Sequence, residues 1–459
     1  MSTYLLNKQK TTTLEKILYG LGGVGMNLCW TFMMMFITVY YTNSAGIAAG
    51  VVGTFMLVSR LLDGVSDIVF AALMQKVHFK MGKVRPWFLI IAPVLGISLV
   101  LCFNVPAGWS ASAKGIYAFI TYAFTAAVSY TIVNLAFASF LPLISGDEDD
   151  RTKTSSVGNF IIMVGMMVMN YATPLLLALR GGENSQKAWT MISIIYAVLC
   201  TIFVAMISLI KEKEIVTAEA EEEIKAAEKQ LTFTQALKYV LGNRYSWLLL
   251  AIFLFYYMLS GSTGGVIYYY FLYVIGDPTQ YGNCSVAGSI ALMIAITLTP
   301  VCFKKIGKRR TLIYSMVLIA LSSLMVYLAP QNIALIICST IIRQFAQAPI
   351  TVATFVLVAD VTTYIMKKNH VQISGYVAMT SSIGTKIGTG LGSAIVGWGL
   401  ALSQFNAQAV VQSKMAISGI TFMFSGLGAI LAIIIAILIS FWKIEAAIEN
   451  IDAKQEEEI

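Results

Sequence analysis

Residues 60–67 read Arg-Leu-Leu-Asp-Gly-Val-Ser-Asp, which sets Arg60, Asp63, Ser66 and Asp67 inside an otherwise apolar segment from about Gly46 to Met74. That segment exceeds the roughly 20 residues that cross a bilayer. Residues three and four apart share a helix face, about 6 Å between neighbours, so Arg60, Asp63 and Asp67 line one side. A charge turned toward hydrocarbon costs several kcal/mol, so this side must face a protein interior or a watery cavity. Such a face implies a membrane transporter organised around it.

The composition agrees. Of 459 residues 58% are hydrophobic and only 12% charged, about half the charged fraction of a soluble globule. Six cysteines lie singly, mostly in apolar runs and without C-x-x-C or metal spacing, which reads as buried, inert thiols. The two histidines, His78 and His370, stand near lysines in expected loops. With no nucleotide loop and no catalytic constellation, an enzyme is the reading with least support, and no cofactor is expected. The first apolar stretch, about Ile17 to Thr42, is too long for a signal-peptide core and is expected to remain as the first span.

Stretches of spanning length follow at Gly46 to Met74, Trp87 to Val105, Ala113 to Ile144, Ser155 to Leu179 and Ala188 to Ile210. A charged interlude from Lys211 to about Arg244, with Glu221 facing Lys225 at helical spacing, predicts a linker with a short solvated helix. Six more stretches run Ser246 to Ile275, Ser285 to Phe303, Thr311 to Leu328, Ile333 to Ile365, Val371 to Leu402 and Ile417 to Trp442. The expected organisation is an all-α membrane protein of twelve transmembrane helices: a six-helix bundle over 1–210, a linker over 211–244, a second bundle over 245–442 and a cytoplasmic tail over 443–459.

Orientation follows from charge. With both termini inside, 24 of the 31 Lys and Arg fall in inner segments and four in outer loops, while Arg60, Arg343 and Lys386 lie within spans. This bias predicts a multi-pass protein of the plasma (inner) membrane with cytoplasmic termini. It also accounts for the net charge of +8 without a nucleic-acid partner. Gly82-Lys83-Val84-Arg85 between the second and third spans is echoed by Gly307-Lys308-Arg309-Arg310 between the eighth and ninth. The echo argues for duplicated halves, and Lys83 and Arg85 are candidates for gating or simply for inside charge.

Two carboxylates one turn apart repel unless a cation or a proton lies between them. Ser66, Thr131 and Asn134 could add neutral oxygens around a hard cation. A proton carried by one buried acid is the other coupling scheme, and a salt bridge to Arg60 or Lys386 the purely structural one. Lys386 sits mid-span in Gly384-Thr-Lys-Ile-Gly388-Thr-Gly-Leu-Gly392; it has no interface to reach and needs an anion. The three glycines form a smooth face for helix contact. Asn27, Trp30 and Asn134 suit sugar hydroxyls and an apolar ring face, or else interhelical bonding. Arg343, with Gln344 and Gln347, is a further cavity charge or packing element. Tyr268, Tyr269, Tyr270 and Tyr273 read as an outer aromatic belt.

Tyr19-Gly20, Tyr40-Tyr41-Thr42, Arg60-x-x-Asp63-x-x-x-Asp67, Gly82-Lys83-x-Arg85-Pro86-Trp87, Ala359-Asp360 and Lys386 together resemble the glycoside-pentoside-hexuronide:cation symporters, the family of melibiose permease. The resemblance covers nearly the whole chain. It implies a major facilitator fold with a central sugar site, Asp63 and Asp67 as cation-site carboxylates, Thr131 as a neutral ligand and Lys386 linking cation and sugar. The chain departs from melibiose permease at Asn27 and Asn134, where that protein has aspartates, at Gly158, where it has arginine, and at Ala138, where it has tryptophan. This pattern looks like the glucuronide and pentoside branches.

The expectation is therefore a symporter coupling Na+ or H+ to uptake of a glycoside, with glucuronides or pentosides favoured over galactosides. Its partners are the small sugar, the coupling ion and membrane lipids. A lipid or drug transporter of the same architecture and a sugar sensor that moves nothing are the alternatives.

Overall fold

The computed structural model describes residues 10–77, 79, 81–213, 233–369, 371, 374–409 and 411–457. Its long helices are α1 (Thr13–Ser44), α2 (Ala49–Lys76), α3 (Arg85–Cys102), α4 (Ala111–Ile144), α5 (Glu148–Leu179) and α6 (Gln186–Leu209). After a short α7 (Phe233–Leu241) come α8 (Arg244–Ile275), α9 (Gln280–Ile306), α10 (Lys308–Leu328), α11 (Ile333–Asn369), α12 (Ser374–Leu402) and α13 (414–440), then a terminal α14 (Ile444–Glu457). Among the described residues ten helical stretches are apolar and long enough to cross a membrane. The two long helices outside that set, α2 and α12, carry the mid-span charges Arg60, Asp63, Asp67 and Lys386. The chain divides into two compact units, one built on α1–α6 and the other on α7–α14.

The starts of α1, α4, α5, α6 and α8 are closed by cap side chains, in keeping with the need of every backbone amide for a partner in an apolar solvent. Thr12 and Glu15 form a reciprocal capping box at α1, while Ser110, Asp147, Ser185 and Asn243 cap α4, α5, α6 and α8. The last turns of α1 (Tyr40–Ser44) and α8 (Tyr270–Ile275), the first long helices of their units, are both π-helical. This repeated irregularity strengthens the duplication seen in the loops.

Small residues let the helices meet at backbone distance. A Cβ added at Gly384 would lie 2.8 Å from the Leu250 carbonyl and one at Gly392 2.5 Å from that of Met258, with Gly388 closer still to Leu254. The glycine face of α12 is thus pressed on α8, as its spacing suggests.

Several expectations change. Helices can reach further than hydropathy predicts: α5 begins at Glu148, seven residues ahead of Ser155, because polar first turns are helical without being apolar. Tyr268, Tyr269 and Tyr270 are not a lipid-facing belt; all three are fully buried. The tail is not simply solvated, since Ile444 is buried in the second unit's core and Glu445 pairs with Lys308. Four cysteines are buried, but Cys302 is half-buried and Cys338 exposed. His78, His370 and the Glu221–Lys225 pair fall outside the described residues, and α7 lies at the end of the expected linker.

Candidate functional site

In the first unit the predicted face of α2 meets α1 and α4. Arg60 is 2% exposed and Asp63 7%, so both charges have left water and must be balanced by protein. The Arg60 guanidinium lies over the Trp30 ring, Cζ 4.1 Å from the centroid, and Trp30 stacks on Tyr130 at 4.3 Å. Nη2 of Arg60 donates to the Tyr122 hydroxyl at 2.9 Å and approaches Met34 Sδ at 3.1 Å. Nη1 stands 3.9 Å from Asp63 Oδ2: a charge contact, too long for a hydrogen bond. Cation–π contact in a desolvated site is worth about 2 kcal/mol, so the aromatic groups and the Asp63 charge hold the guanidinium together.

Asp63 has a firmer partner in Thr131, whose hydroxyl donates to Oδ1 at 2.7 Å. Residues Thr125–Tyr130 form a π-helical turn within α4, and the turn explains how Thr131 is aimed. A π turn inserts one residue and rotates everything beyond it, which sets Tyr130 on Trp30 and Thr131 on Asp63. It also leaves the Ala126 carbonyl 3.2 Å from the same Thr131 hydroxyl. One proton thus has two acceptors, a carboxylate on α2 and a carbonyl five residues back.

The other sequence candidates are less closely gathered. Asp67 is half-buried one turn along α2, and Ser66 donates to the Asp63 carbonyl at 2.9 Å. Asn134 is exposed on α4 while Thr131 is buried. Asn27 donates to the Gly23 carbonyl of its own helix at 2.9 Å. Trp30 is half-buried and already engaged by Arg60 and Tyr130. Lys386 is half-buried on α12 of the second unit. That unit repeats the guanidinium-on-ring device: Arg343 Cζ lies 4.9 Å from the Phe424 centroid, and Phe424 stacks on Tyr270 at 4.3 Å. Gln347 donates to the Tyr256 hydroxyl at 3.3 Å.

Sequence reasoning gave no structural role to the acids that hold the α2–α3, α4–α5 and α9–α10 loops. Glu212, just past α6, accepts from the backbone amides of Lys83 (2.8 Å), Val84 (2.7 Å) and Arg85 (2.8 Å), and Arg85 Nε donates to the Ser208 carbonyl at 2.7 Å. A carboxylate at the first turn of α3 meets the positive end of its dipole. Lys83 and Arg85, the gating candidates, therefore enter this contact through their main chain. Asp150 likewise accepts from the Thr11 amide and hydroxyl (both 2.7 Å) and the Ser145 hydroxyl (2.8 Å), and pairs with Lys16 at 2.7 Å. In the second unit Lys308 pairs with Asp360 at 2.5 Å and Glu445 at 3.2 Å, and Arg309 donates to the Ser440 carbonyl. Gly82 (φ 123°) and Gly307 (φ 91°) stand at matching places, in backbone conformations that favour glycine. The one signal available for Asp150 was its acidic cluster at a helix start; nothing local marks Glu212.

Comparison with known proteins fits this geometry. The isoprimeverose transporter of Lactiplantibacillus pentosus is 26% identical over 446 residues, 96% of this chain and 91% of its own length. YagG of Escherichia coli (strain K12), named as a candidate glycoside/cation symporter, is 28% identical over 96% of this chain and 94% of its own. The crystal structure of a D-xylose-proton symporter matches with a TM-score of 0.65 over 94% of this chain and 97% of that one, at 14% identity, a likeness of fold. The model of the family described as MFS/sugar transport proteins matches residues 18–446. A match of that extent, on two units of six long helices, makes the protein a transporter rather than an enzyme: the chain belongs to the MFS/sugar transport protein family.

Proposed function

We propose that the protein is a symporter that couples Na+ or H+ to the uptake of a glycoside or related sugar by alternating access. The observation that carries this reading is the buried Asp63 carboxylate bonded by Thr131 across two helices. The names of the relatives, an isoprimeverose transporter and a glycoside/cation symporter, support the same substrate class. In this reading Asp63 and Asp67 hold the ion, with Thr131 and Asn134 as neutral donors. When the ion arrives, the Thr131 hydroxyl turns its hydrogen bond from Asp63 to the Ala126 carbonyl, which points an oxygen lone pair toward the ion. Arg60 fixes Asp63, and Lys386 links ion occupancy to sugar affinity. Coupling of this kind is reciprocal between the two ligands.

Asn27, Trp30 and Asn134 are assigned to the sugar, with glucuronides and pentosides favoured over galactosides by the Asn27 and Asn134 pattern; for a glucuronide, neutral Asn27 repels the sugar carboxylate less than an aspartate would. Residues 1–210 and 245–442 act as the two six-helix bundles in the inner membrane, with residues 211–244 as linker and both termini cytoplasmic; the concentration of Lys and Arg in alternate loops supports that orientation.

Counterflow in proteoliposomes over a panel of glucuronide, xyloside and galactoside, with and without Na+ and at two pH values, tests the reading. Ion-stimulated exchange lost in Asp67→Asn is the expected result. Undiminished ion-driven accumulation in that variant removes the proposed ion site, and a galactoside preference removes the substrate assignment.

A further inference from the structure

A cavity of about 670 Å³ lies in the second unit where α7 and the start of α8 meet the end of α11, and its lining includes none of the residues discussed for ion and sugar. Lys238, Arg244 and Lys368 line it together with Gln235, Tyr239, Asn243 and Tyr364, and among the described residues no carboxylate lines it. Basic residues at an inner loop need no special reason, but these three are gathered into one recess of ligand size. Among the described residues none of them is ion-paired. Arg244 lies over the Tyr245 ring at 4.8 Å and donates to its hydroxyl at 2.9 Å, and Lys368 lies 5.6 Å from the Tyr364 ring. Aromatic faces hold these cations in place without neutralising them.

Hydrogen-bonding capacity is equally one-sided. Asn243 caps α8 by accepting from the Tyr245 amide at 3.0 Å, and its Nδ2 is buried with no acceptor. The recess thus offers three positive charges, a buried amide donor and the start of a 26-residue helix, whose dipole favours an anion. Next along the chain to lining residues Gly242 and Arg244, Leu241 is 48% exposed, and Trp247, 53% exposed, donates its indole N–H to the Leu241 carbonyl at 2.7 Å. Exposed tryptophan and tyrosine beside lysine and arginine are the composition of a membrane–water boundary.

We propose that this recess binds a phosphate ester, namely the headgroup of an anionic phospholipid of the adjoining leaflet. A phosphate supplies acceptor oxygens and negative charge to a site whose described lining carries three cations and an unpaired amide donor. The exposed Leu241 and Trp247 offer apolar surface for the acyl chains that follow the glycerol. Only the statement that this is the inner leaflet rests on the orientation proposed above.

Native mass spectrometry of the full-length protein, released from detergent with phosphatidylglycerol or phosphatidylcholine, measures the binding without sugar or ion. Failure of the transport reading therefore leaves this test intact. The expected result is retention of phosphatidylglycerol over phosphatidylcholine by about tenfold or more, since each basic residue near a lipid surface contributes about 1 kcal/mol. Lys238→Gln/Arg244→Gln/Lys368→Gln should abolish that preference, whereas Lys304→Gln/Lys305→Gln, which removes charge from exposed positions outside the recess, should keep it. Glycerol 3-phosphate forms a second arm, read by thermal shift. A shift that the triple variant loses, without lipid preference, assigns the same site to a soluble phosphate ester. Equal loss in both variants, or no preference and no shift, overturns the proposal. Lys368→Glu alone, checked for an unchanged melting profile, provides the same reading should the triple variant misfold.

Discussion

The hydroxyl of Thr131 reaches from α4 to the carboxylate of Asp63 on α2 at 2.7 Å, while the Ala126 carbonyl waits at 3.2 Å. A hydroxyl with one proton and two acceptors is a donor to the carboxylate in one setting and an oxygen ligand in the other. Thr131→Val keeps the shape and removes the switch. We expect about a tenfold or greater loss of apparent cation affinity, in line with about 1.5–3 kcal/mol for a hydrogen bond to a charged group. Thr131→Ser should retain most of it. Cation titration of counterflow measures the difference, and equal affinity in the valine variant contradicts the assignment.

Arg60 is buried against Trp30 and Tyr122, with Asp63 at 3.9 Å. Removing one partner of a buried pair leaves an uncompensated charge and costs about 3–5 kcal/mol. Arg60→Gln should therefore lower the thermal stability of the detergent-solubilised protein markedly, and adding Asp63→Asn should restore part of it. A double variant no more stable than Arg60→Gln would show that the aromatic contacts, not the carboxylate, set the cost.

Glu212 satisfies three backbone amides at the start of α3. Glu212→Ala should destabilise the loop by about 2 kcal/mol and speed amide exchange at Lys83, Val84 and Arg85, with Glu212→Gln recovering part of the protection. Gly82→Ala should act on the same contact, because its Cβ would lie 2.6 Å from the Glu212 carboxyl carbon and its φ is 123°. Hydrogen exchange resolved to that peptide reads both.

A side chain at Gly388 would enter the backbone of Leu254. Gly388→Val should separate α12 from α8 and lower stability by about 1–3 kcal/mol or more, the usual cost of overpacking. The same change at Gly264, which has open space around it, should cost less, and a comparison of melting temperatures ranks the two.

Asp277 sits in the α8–α9 loop outside the spans. The Thr279 hydroxyl, with Gln280 and the Thr279 amide, holds its carboxyl below the usual carboxylate range against a smaller opposing effect of burial. A depressed folded-state value adds stability that is present above the unfolded value, near 4, and is lost as pH falls through the folded one. Asp277→Asn should lower stability at neutral pH and flatten the acid limb of a stability–pH profile, so that variant and parent converge at low pH; equal stability of the two at neutral pH would contradict this.

The α2 charges were legible because hydrocarbon tolerates no idle charge, and the α12 glycines because their spacing admits one close neighbour. Glu212 was not, since it joins residues 127 to 129 positions apart and carries no local pattern. Tyr268–Tyr270 misled for a related reason: aromatic composition is the same at a lipid boundary and in a core, and burial alone separates them.

Composition and the recurrence of apolar stretches determined by themselves that this chain is a membrane protein of repeated helices with acids that need a counter-charge, because the energy of placing charge and bare backbone in hydrocarbon depends on residue type. Which oxygen meets which carboxylate was decided only in three dimensions. The π turn at Thr125–Tyr130 rotates Thr131 onto Asp63, and a single inserted residue in a helix leaves no trace in hydropathy.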